Sequence, residues 1–384
     1  LCNCVFTVML YNKVKNRWGV DDMTRENYIS YLVGTVTGYP AKLQRHLKKL
    51  FTDAGIAVPD EQMKIPLGVD TTVSIKDKEL SDQLAECLEQ SESAQRIFEK
   101  WEFEKDYKYS VLFSSSEFSA LLSNVDSFAQ YDESSSEATR SSNDFTDPLC
   151  LKEDNFVFLK FIMYYSAVDL ATGNEFLLKY PILIVLHLNE QIIEFRFDTL
   201  RRIFVPERQE QTFYSDLISK LVHFCQTFFD GDISPLNLEF LKKHHPNATL
   251  MAKYMMLPSG GNAQLDVGKN ENYILPIIGE LREILDNHRN ELDTVPSLKE
   301  SLEQFMFEND ELSECSWIEI MWENEIKVRN IRVKFIFNYK NHDYCLLQHY
   351  YSNVLVGMER MNHVVRYINE HQNDAHQESN TDGF

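Results

Sequence analysis

The sequence reads FVFLKFIMYYSAVDLATGNEFLLKYPILIVLHLNEQIIEFRF from residue 156 to residue 197, and this stretch decides the fold. Two long apolar runs flank a turn sequence at 169–173, and Asn189-Glu190 then turns the chain into a third run. Residues 182–186 are apolar at every position, which predicts a central strand that is covered on both faces. We therefore predict an antiparallel meander.

The third run of this meander alternates apolar and charged residues, as a half-buried strand does. Glu194, Arg196 and Asp198 share one face. Two carboxylates around a guanidinium can bind a metal or supply a general acid. We favour a charged face that points to solvent, because no histidine or glycine-rich loop joins the three residues. On this interpretation the third strand lies at the margin of the sheet.

The rest of the chain predicts an α+β fold of two domains, each a mostly antiparallel β-meander packed with helices. Helical spacing follows Thr24 and again Pro40, which makes the N-terminal domain the more helical of the two. A long helix is expected from about residue 79 to residue 101. A second meander is expected at 317–350, closed by a C-terminal helix.

A polar segment separates the two predicted domains. Residues 131–154 carry five serines and seven acidic residues with almost no apolar periodicity, which is typical of a linker or a mobile loop. The predicted limits are a helix-rich domain at 1–130, the acidic Ser-rich linker at 131–154, an α+β domain with two β-meander-plus-helix units at 155–370, and a frayed tail at 371–384.

The composition argues against several classes of function. The formal net charge of −21 disfavours indiscriminate binding to nucleic acid or to an anionic membrane, since both would repel the chain. The longest apolar run, at 181–188, is far shorter than the ~20 residues that span a bilayer. The seven cysteines are scattered and odd in number, which favours reduced thiols over a disulfide framework. We therefore expect a cytoplasmic protein with no membrane partner.

One set of residues matches a pattern found in metal-dependent nucleases. Asp310 precedes Glu325-Ile326-Lys327, and such nucleases combine an acidic residue with Glu-x-Lys on a strand. The carboxylates of Asp310 and Glu325 would hold Mg²⁺, and Lys327 would position the attacking water. The alternative is a solvated hairpin end, which the abundance of charged residues in this chain favours. Outside this set we predict no cofactor and no metal site.

Basic residues stand out in two places of this acidic chain. Two predicted helices meet at 38–40, and helix-turn-helix proteins place one helix of such a pair in the major groove of DNA. The alternatives are docking onto an acidic partner and plain solvation. The candidate nucleic-acid-binding residues are Lys42, Arg45, Lys48 and Lys49 on the second helix, and Arg329, Arg332 and Lys334 on the middle strand of the C-terminal meander.

The sequence favours a non-enzymatic interaction or regulatory subunit of a larger prokaryotic assembly. We expect one or more protein partners, contact with nucleic acid through the local basic patches, and an assembly that processes nucleic acid or serves antiviral defence. The first alternative is a divergent metal-dependent nuclease that uses Asp310, Glu325 and Lys327. The second is a DNA-binding protein that uses the N-terminal helix pair at 23–51.

Overall fold

A computed structural model describes residues 23–59, 67–132, 147–169, 172–205, 209–228, 232–256, 262–266, 281, 284–310, 314–323, 331–350 and 357–381. Its helices are α1 (Arg25–Gly38), α2 (Ala41–Asp53), α3 (Leu80–Gln90), α4 (Glu92–Glu104), α5 (Phe118–Asn124), α6 (Phe213–Phe228), α7 (Arg289–Leu292), α8 (Pro296–Asp310) and α9 (Glu359–Thr381). Its strands are β1 (Ala57–Val58), β2 (Val73–Ser74), β3 (Tyr109–Ser115), β4 (Ala129–Gln130), β5 (Leu149–Glu153), β6 (Phe156–Val168), β7 (Glu175–His187), β8 (Ile192–Phe197), β9 (Ile233–Pro235), β10 (Thr249–Met256), β11 (Asn262–Asp266), β12 (Glu314–Trp322), β13 (Ile331–Ile336) and β14 (Leu346–Tyr350). Helices and mostly antiparallel strands occur together, so the predicted α+β class is confirmed. No helix in these ranges has both the length and the apolar composition that a bilayer crossing requires.

The chain forms two compact units. The first comprises Leu1–Ser234 with Val356–Glu359, and the second comprises Pro235–Leu355 with Arg360–Phe384. Residues on both sides of 131–154 belong to the first unit, whereas the sequence predicts a domain boundary there. The predicted linker also contains β5, which pairs with β6 and buries Cys150 completely. Residues 133–146 of that segment lie outside the described residues.

The sheet of the first unit has the strand order β3-β8-β7-β6-β5-β4. Neighbouring strands are antiparallel except β4 and β5, which are parallel. The predicted meander is confirmed, because β6 and β7 pair from Phe156 opposite His187 to Val168 opposite Glu175, and β7 pairs with β8. The expected position of the third strand at the margin is wrong, since β3 pairs with the other side of β8.

Helices cover both faces of this sheet. On one face α6 packs against apolar residues, and the rings of Phe161 and Phe224 lie 4.9 Å apart between centroids. On the other face α4 packs against β6, with the rings of Phe103 and Phe158 6.3 Å apart. Burying a side chain of this size contributes about 1.5–3 kcal/mol. The core of the first unit therefore lies on both sides of the sheet.

Helix α1 lies directly against the first half of β7. Among the described strands, β8 pairs with β7 only from Leu183 to His187, so the earlier half of β7 has a strand partner only in β6. There the Lys179 amide donates a hydrogen bond to the Thr35 hydroxyl of α1 at 2.7 Å. Pro181, which has no amide hydrogen, lies in the same half, where proline is best tolerated.

The close approach of α1 to β7 requires a glycine at position 34. A Cβ atom there would lie 3.0 Å from the carbonyl carbon of Leu177 and still closer to its oxygen, at a separation that real Cβ atoms essentially never show. Gly38 at the end of the same helix differs, because its Cβ would meet only the Arg201 side chain at 3.7 Å. Position 34 therefore fixes how near the helix lies to the strand.

The second unit contains an antiparallel sheet with the strand order β11-β10-β12-β13-β14. The predicted C-terminal meander is confirmed in β12, β13 and β14, whereas β10 and β11 were not predicted. Helix α9 packs on one face of the sheet, where the rings of Trp322 and Tyr367 lie 5.0 Å apart. Val364 and Ile368 of α9 are fully buried, so this face forms the core of the unit.

The long helix predicted at 79–101 is wrong, because two helices, α3 and α4, meet at Ser91. The Ser91 hydroxyl accepts a hydrogen bond from the Ala94 amide at 3.1 Å. The Asp70 carboxylate accepts hydrogen bonds from the Ser91 hydroxyl and the Glu92 amide, both at 2.7 Å. These acceptors satisfy the first amides of a new helix, which therefore begins at Glu92.

The C-terminal helix is longer than predicted. The sequence predicts a frayed tail from residue 371, whereas α9 extends to Thr381. This segment has no core-forming pattern, but its first strong helix breaker is Gly383. Intrinsic helix preference does not require an apolar face, so the lack of a core-forming pattern did not mark the end of the helix.

Candidate functional site

The predicted nuclease set lies mostly outside the described residues. Asp310 is the last residue of α8, and its side chain is not described. Glu325 and Lys327 both fall in 324–330, outside the described ranges. Within those ranges no group of three or more His, Cys, Asp and Glu side chains is arranged to hold a metal ion. The nuclease site and its Mg²⁺ therefore stay a prediction.

The described buried cysteines are packing residues rather than nucleophiles. Cys87, Cys150, Cys225 and Cys345 are buried, and none of the four forms a disulfide. Burial raises the pKa of Cys87 to about 12 and that of Cys150 to about 11. Because the thiolate is the reactive form, such thiols are nearly inert at neutral pH.

The basic residues of α2 are divided between a buried ion pair and the surface. The helices of the predicted N-terminal pair are confirmed as α1 and α2. Lys42 Nζ lies 3.4 Å from Asp106 Oδ2 in a mostly buried ion pair. Arg45 and Lys49 are exposed, and Lys48 is half-buried. Because α1 packs on β7, the two helices belong to the packed structure of the first unit. Contact of this helix pair with DNA stays a prediction.

A buried network occupies the face of β8 that the sequence predicts to be charged and exposed. Glu194 and Arg196 have exposed fractions of 0%, and that of His187 is 1%. Glu194 Oε2 accepts hydrogen bonds from Arg196 Nε at 2.8 Å and Nη2 at 2.6 Å, and lies 2.9 Å from His187 Nε2. Asp198 is separate and pairs with Lys105. The predicted solvent face is wrong because β8 lies between two strands and is buried on both faces.

Burial and the neighbouring groups together decide whether Glu194 and His187 are charged. Burial opposes the ionisation of Glu194, but Arg196 and the hydrogen bond from His187 hold the pKa of Glu194 below its usual range. Burial lowers the pKa of His187 more than Glu194 raises it. A neutral His187 therefore donates to a charged Glu194. Since these side chains are almost inaccessible, we infer that the network supports the sheet and does not meet a substrate.

We expect this network to make the first unit less stable as the pH falls below about 6.5. Folding lowers the pKa of His187, so the unfolded chain takes up a proton at a higher pH than the folded chain does. Acid therefore favours unfolding, and the contribution is fully present above that pH. The loss approaches about 1.4 kcal/mol per pH unit. Urea unfolding at a series of pH values measures it.

His187→Gln is the variant that isolates this effect. The glutamine amide can still donate to Glu194, but it does not titrate. The free energy of unfolding of this variant should therefore depend less on pH than that of the wild type, over the one pH unit below about 6.5. His342→Gln makes the same change at an exposed position and is the control with which the slope of His187→Gln is compared. If His187→Gln keeps the wild-type slope, another group is responsible for the acid sensitivity.

A second buried cluster contains four charges that sequence analysis missed. Glu99 and Glu102 come from α4, Lys160 from β6 and Lys179 from β7, and none of these side chains is more than 5% exposed. Lys179 Nζ lies 2.6 Å from Glu102 Oε2 and also contacts Glu99. Lys160 Nζ lies 2.9 Å from Glu99 Oε2. Burial raises the pKa of Glu102, although Lys179 favours its charged form. Tyr28 of α1 donates to Glu99, so the cluster joins two helices to the sheet.

Aromatic and basic side chains share the other face of the second unit's sheet. Tyr254 of β10 lies opposite Trp317 of β12, and their rings stack with centroids 6.1 Å apart and an angle of 11° between planes. Lys334 of β13 places Nζ 3.5 Å from the centre of the Trp317 ring. All three side chains are half-buried, so each reaches solvent. We use the term aromatic face for the surface formed by Tyr254, Trp317, Arg332 and Lys334.

Arg332 adds a second cation to the aromatic face. Its guanidinium pairs with Glu319 and lies 5.0 Å from the centre of the Tyr350 ring. The Arg332 side chain is 47% exposed whereas that of Glu319 is 5% exposed, so the cation reaches solvent and its counter-ion does not. Burial lowers the pKa of Lys334. The structure thus brings together two predicted residues, Arg332 and Lys334, while Arg329 lies outside the described residues.

Hairpin register was the signal that sequence analysis could have used for the aromatic face. Residues at every second position of β12 and β13 face the same side, which places Trp317 and Lys334 together once the strands are paired. The stacking partner Tyr254 could not be found in this way, because β10 itself was not predicted.

Comparisons with known proteins do not assign the chain to a family. No protein-family model matches it, and no curated protein matches it.

Proposed function

We propose that the protein is a non-enzymatic subunit of a larger assembly and that it contacts single-stranded nucleic acid through the aromatic face. The observation that supports this is the stacked Tyr254–Trp317 pair with Lys334 over the indole ring. Proteins that bind single strands combine aromatic rings, on which bases stack, with cations that follow the phosphates. The aromatic face supplies both kinds of group on three neighbouring strands.

A sheet surface with stacked rings suits an unpaired strand better than a duplex. In a duplex the bases stack on one another, whereas an unpaired base can lie on Trp317 or Tyr254. Each such contact contributes about 1–3 kcal/mol. Arg332 and Lys334 provide only a local positive region on a chain with a formal charge of −21. The contact should therefore be modest in affinity and weakened by salt.

Apolar side chains at the surface of α8 support contact with a protein partner. Leu298 and Phe305 are both 49% exposed, and a spacing of seven residues places them on the same face of the helix. Apolar surface of this kind marks sites of protein contact when it is contiguous.

Proteins recovered in fixed stoichiometry from the native host, and retained after nuclease treatment, would support membership of an assembly. The prokaryotic nature of that assembly and its role in antiviral defence stay predictions from the sequence.

We expect a labelled oligothymidine to bind more tightly than a duplex of the same length, as measured by fluorescence anisotropy. Trp317→Ala should weaken single-strand binding by about 10-fold, because the loss of one stacking surface costs about 1–3 kcal/mol. Lys334→Gln should reduce the slope of log affinity against log salt concentration by about 0.7, the value for one phosphate contact on a single strand.

Lys253→Gln is the matched control for these variants. Lys253 precedes Tyr254 on β10, but it lies opposite Ile318, whose side chain is buried on the face that α9 covers. The control should therefore bind the oligonucleotide as the wild type does. Equal affinities for the wild type and Trp317→Ala, at equal thermal stability, would contradict the proposed contact.

A further inference from the structure

An apolar stripe follows one face of α8 in the second unit. Leu298, Leu302 and Phe305 lie four and three residues apart, a spacing that keeps them on one side of a helix. Val295 begins the stripe, and its carbonyl accepts hydrogen bonds from the Leu298 and Lys299 amides at 3.1 and 3.3 Å. Val295 and Leu298 are 46% and 49% exposed. The stripe therefore runs for about 15 Å along the helix axis.

The spacing of the stripe suits a second helix as its occupant. Apolar residues that recur alternately after three and four positions form the seam of a coiled coil, in which side chains of one helix fit between those of the next. A strand has no matching period, because its side chains on one face recur at every second residue. The stripe thus indicates a helical partner.

The charge around the stripe favours a basic partner. Residues 291–310 contain six acidic residues and one basic residue. That basic residue, Lys299, pairs with Asp293, with 2.8 Å between Nζ and Oδ1. The side chains of Glu300 and Glu303 are exposed. A second copy of the chain would bring an equally acidic helix, and an anionic membrane would also be repelled.

We propose that the stripe on α8 binds an amphipathic helix of a partner protein, with lysine or arginine beside the apolar face of that helix. This inference rests on the proposed role as a subunit of an assembly, and it names the chemistry of one partner. The apolar face of the partner would cover Val295 and Leu298, and the acidic residues around the stripe would attract its cations. Complementary charge of this kind raises the rate of association and selects against wrong partners.

The probe for this surface is a fluorescein-labelled peptide of leucine and lysine, about 14 residues long, with its leucines at helical spacing. As a helix it is about 21 Å long and can span the stripe. We expect saturable binding, measured by fluorescence anisotropy and weakened by salt. A peptide with glutamate in place of every lysine keeps the apolar face, and like-charge repulsion should prevent its binding.

The double variant Val295→Gln, Leu298→Gln removes the first half of the stripe. It should weaken binding of the lysine peptide by about 10-fold or more, because two apolar contacts are lost. Phe307→Gln is the matched control. Phe307 is 52% exposed, but it follows Leu298 by nine residues, which places it on the opposite side of the helix. This change should alter the affinity by less than about two-fold.

Selective loss of binding in the double variant, at an unchanged thermal unfolding midpoint, supports the proposal. Equal peptide affinity in the wild type and the double variant would overturn it, because attraction between opposite charges alone would then explain the binding. Similar affinity for the glutamate peptide would overturn it as well. Self-association of the wild type that the double variant abolishes, measured by sedimentation velocity, would overturn it in favour of a second copy.

These outcomes differ from those that test the proposed function. The oligonucleotide experiment changes Trp317 and Lys334, whereas the peptide experiment changes α8 and the residue before it. Recovery of the chain alone from the native host would contradict its role as a subunit, even if the peptide binds. Partners that the double variant retains in full would leave that role intact and overturn the assignment of α8.

Discussion

Replacing Lys179 with methionine should lower the free energy of unfolding of the first unit by about 3–5 kcal/mol. The Lys179 ammonium contacts the carboxylates of Glu99 and Glu102 inside the protein. Without it the two carboxylates share one ammonium, that of Lys160, and a buried charge without a partner is costly. Urea unfolding followed by far-UV circular dichroism measures the loss.

Glu102→Leu in the same chain should restore at least half of that loss. The double variant retains one balanced pair, Lys160 with Glu99, and replacing a buried ion pair by apolar groups is often neutral. Arg25→Ala removes an exposed ion pair of α1 and should cost less than about 1 kcal/mol. Additive losses from Lys179→Met and Glu102→Leu would show that the four charges do not act as one unit.

Gly34→Ala should destabilise the first unit by about 3 kcal/mol or more, at the upper end of the effects of overpacking. The added Cβ would overlap the carbonyl group of Leu177. That group is part of the backbone of β7 and cannot rotate away, so α1 must move off the strand. The movement would also separate Thr35 from the Lys179 amide. The thermal unfolding midpoint, together with urea unfolding, measures the effect.

Gly38→Ala is the control on the same helix. Its Cβ would make an ordinary contact with the flexible Arg201 side chain. Because alanine favours a helix over glycine by up to about 1 kcal/mol, this variant should be neutral or slightly stabilised. A loss at position 38 as large as the loss at position 34 would show that helix geometry, rather than the contact with Leu177, accounts for both.

The meander at 156–197 could be predicted because its pattern is local. Apolar runs, turn residues and alternation are all properties of neighbouring positions, and they gave β6, β7 and β8 nearly to the residue. The direction in which Glu194 and Arg196 point is not local. Alternation shows that they share a face, but whether that face meets water depends on what packs over it.

One part of the buried network was nonetheless within reach of the sequence. Once the turn at Asn189-Glu190 is accepted, His187 lies opposite Ile192, and Glu194 is the next residue on the same face. A histidine in an apolar strand, diagonal to a carboxylate, indicates a buried hydrogen bond. The same reasoning applies to Lys160 and Lys179, which interrupt apolar strands and so predict buried partners. That Glu99 and Glu102 are these partners could not be predicted, since it depends on how α4 packs.

Strand β10 and the break at Ser91 were missed for different physical reasons. The residues of β10, TLMAKYMM, have little intrinsic preference for a strand, and their pairing with β12 decides their conformation. At Ser91 the deciding group is the carboxylate of Asp70, which lies 21 residues earlier in the chain. Contacts between distant residues thus overrode local preference in both places.

We expect the position of α1 against β7 to protect the protein from self-association as well. The sequence ILIVL at 182–186 has the apolar, β-prone composition of segments that add to other extended chains and form aggregates. Among the described strands, the first half of β7 has no neighbour on the side of β8, and that side would be open to such addition. Thr35 engages the Lys179 amide there, and Pro181 has no amide hydrogen to offer. Because α1 precedes β7 along the chain, the helix that blocks addition is synthesised before the strand that it covers.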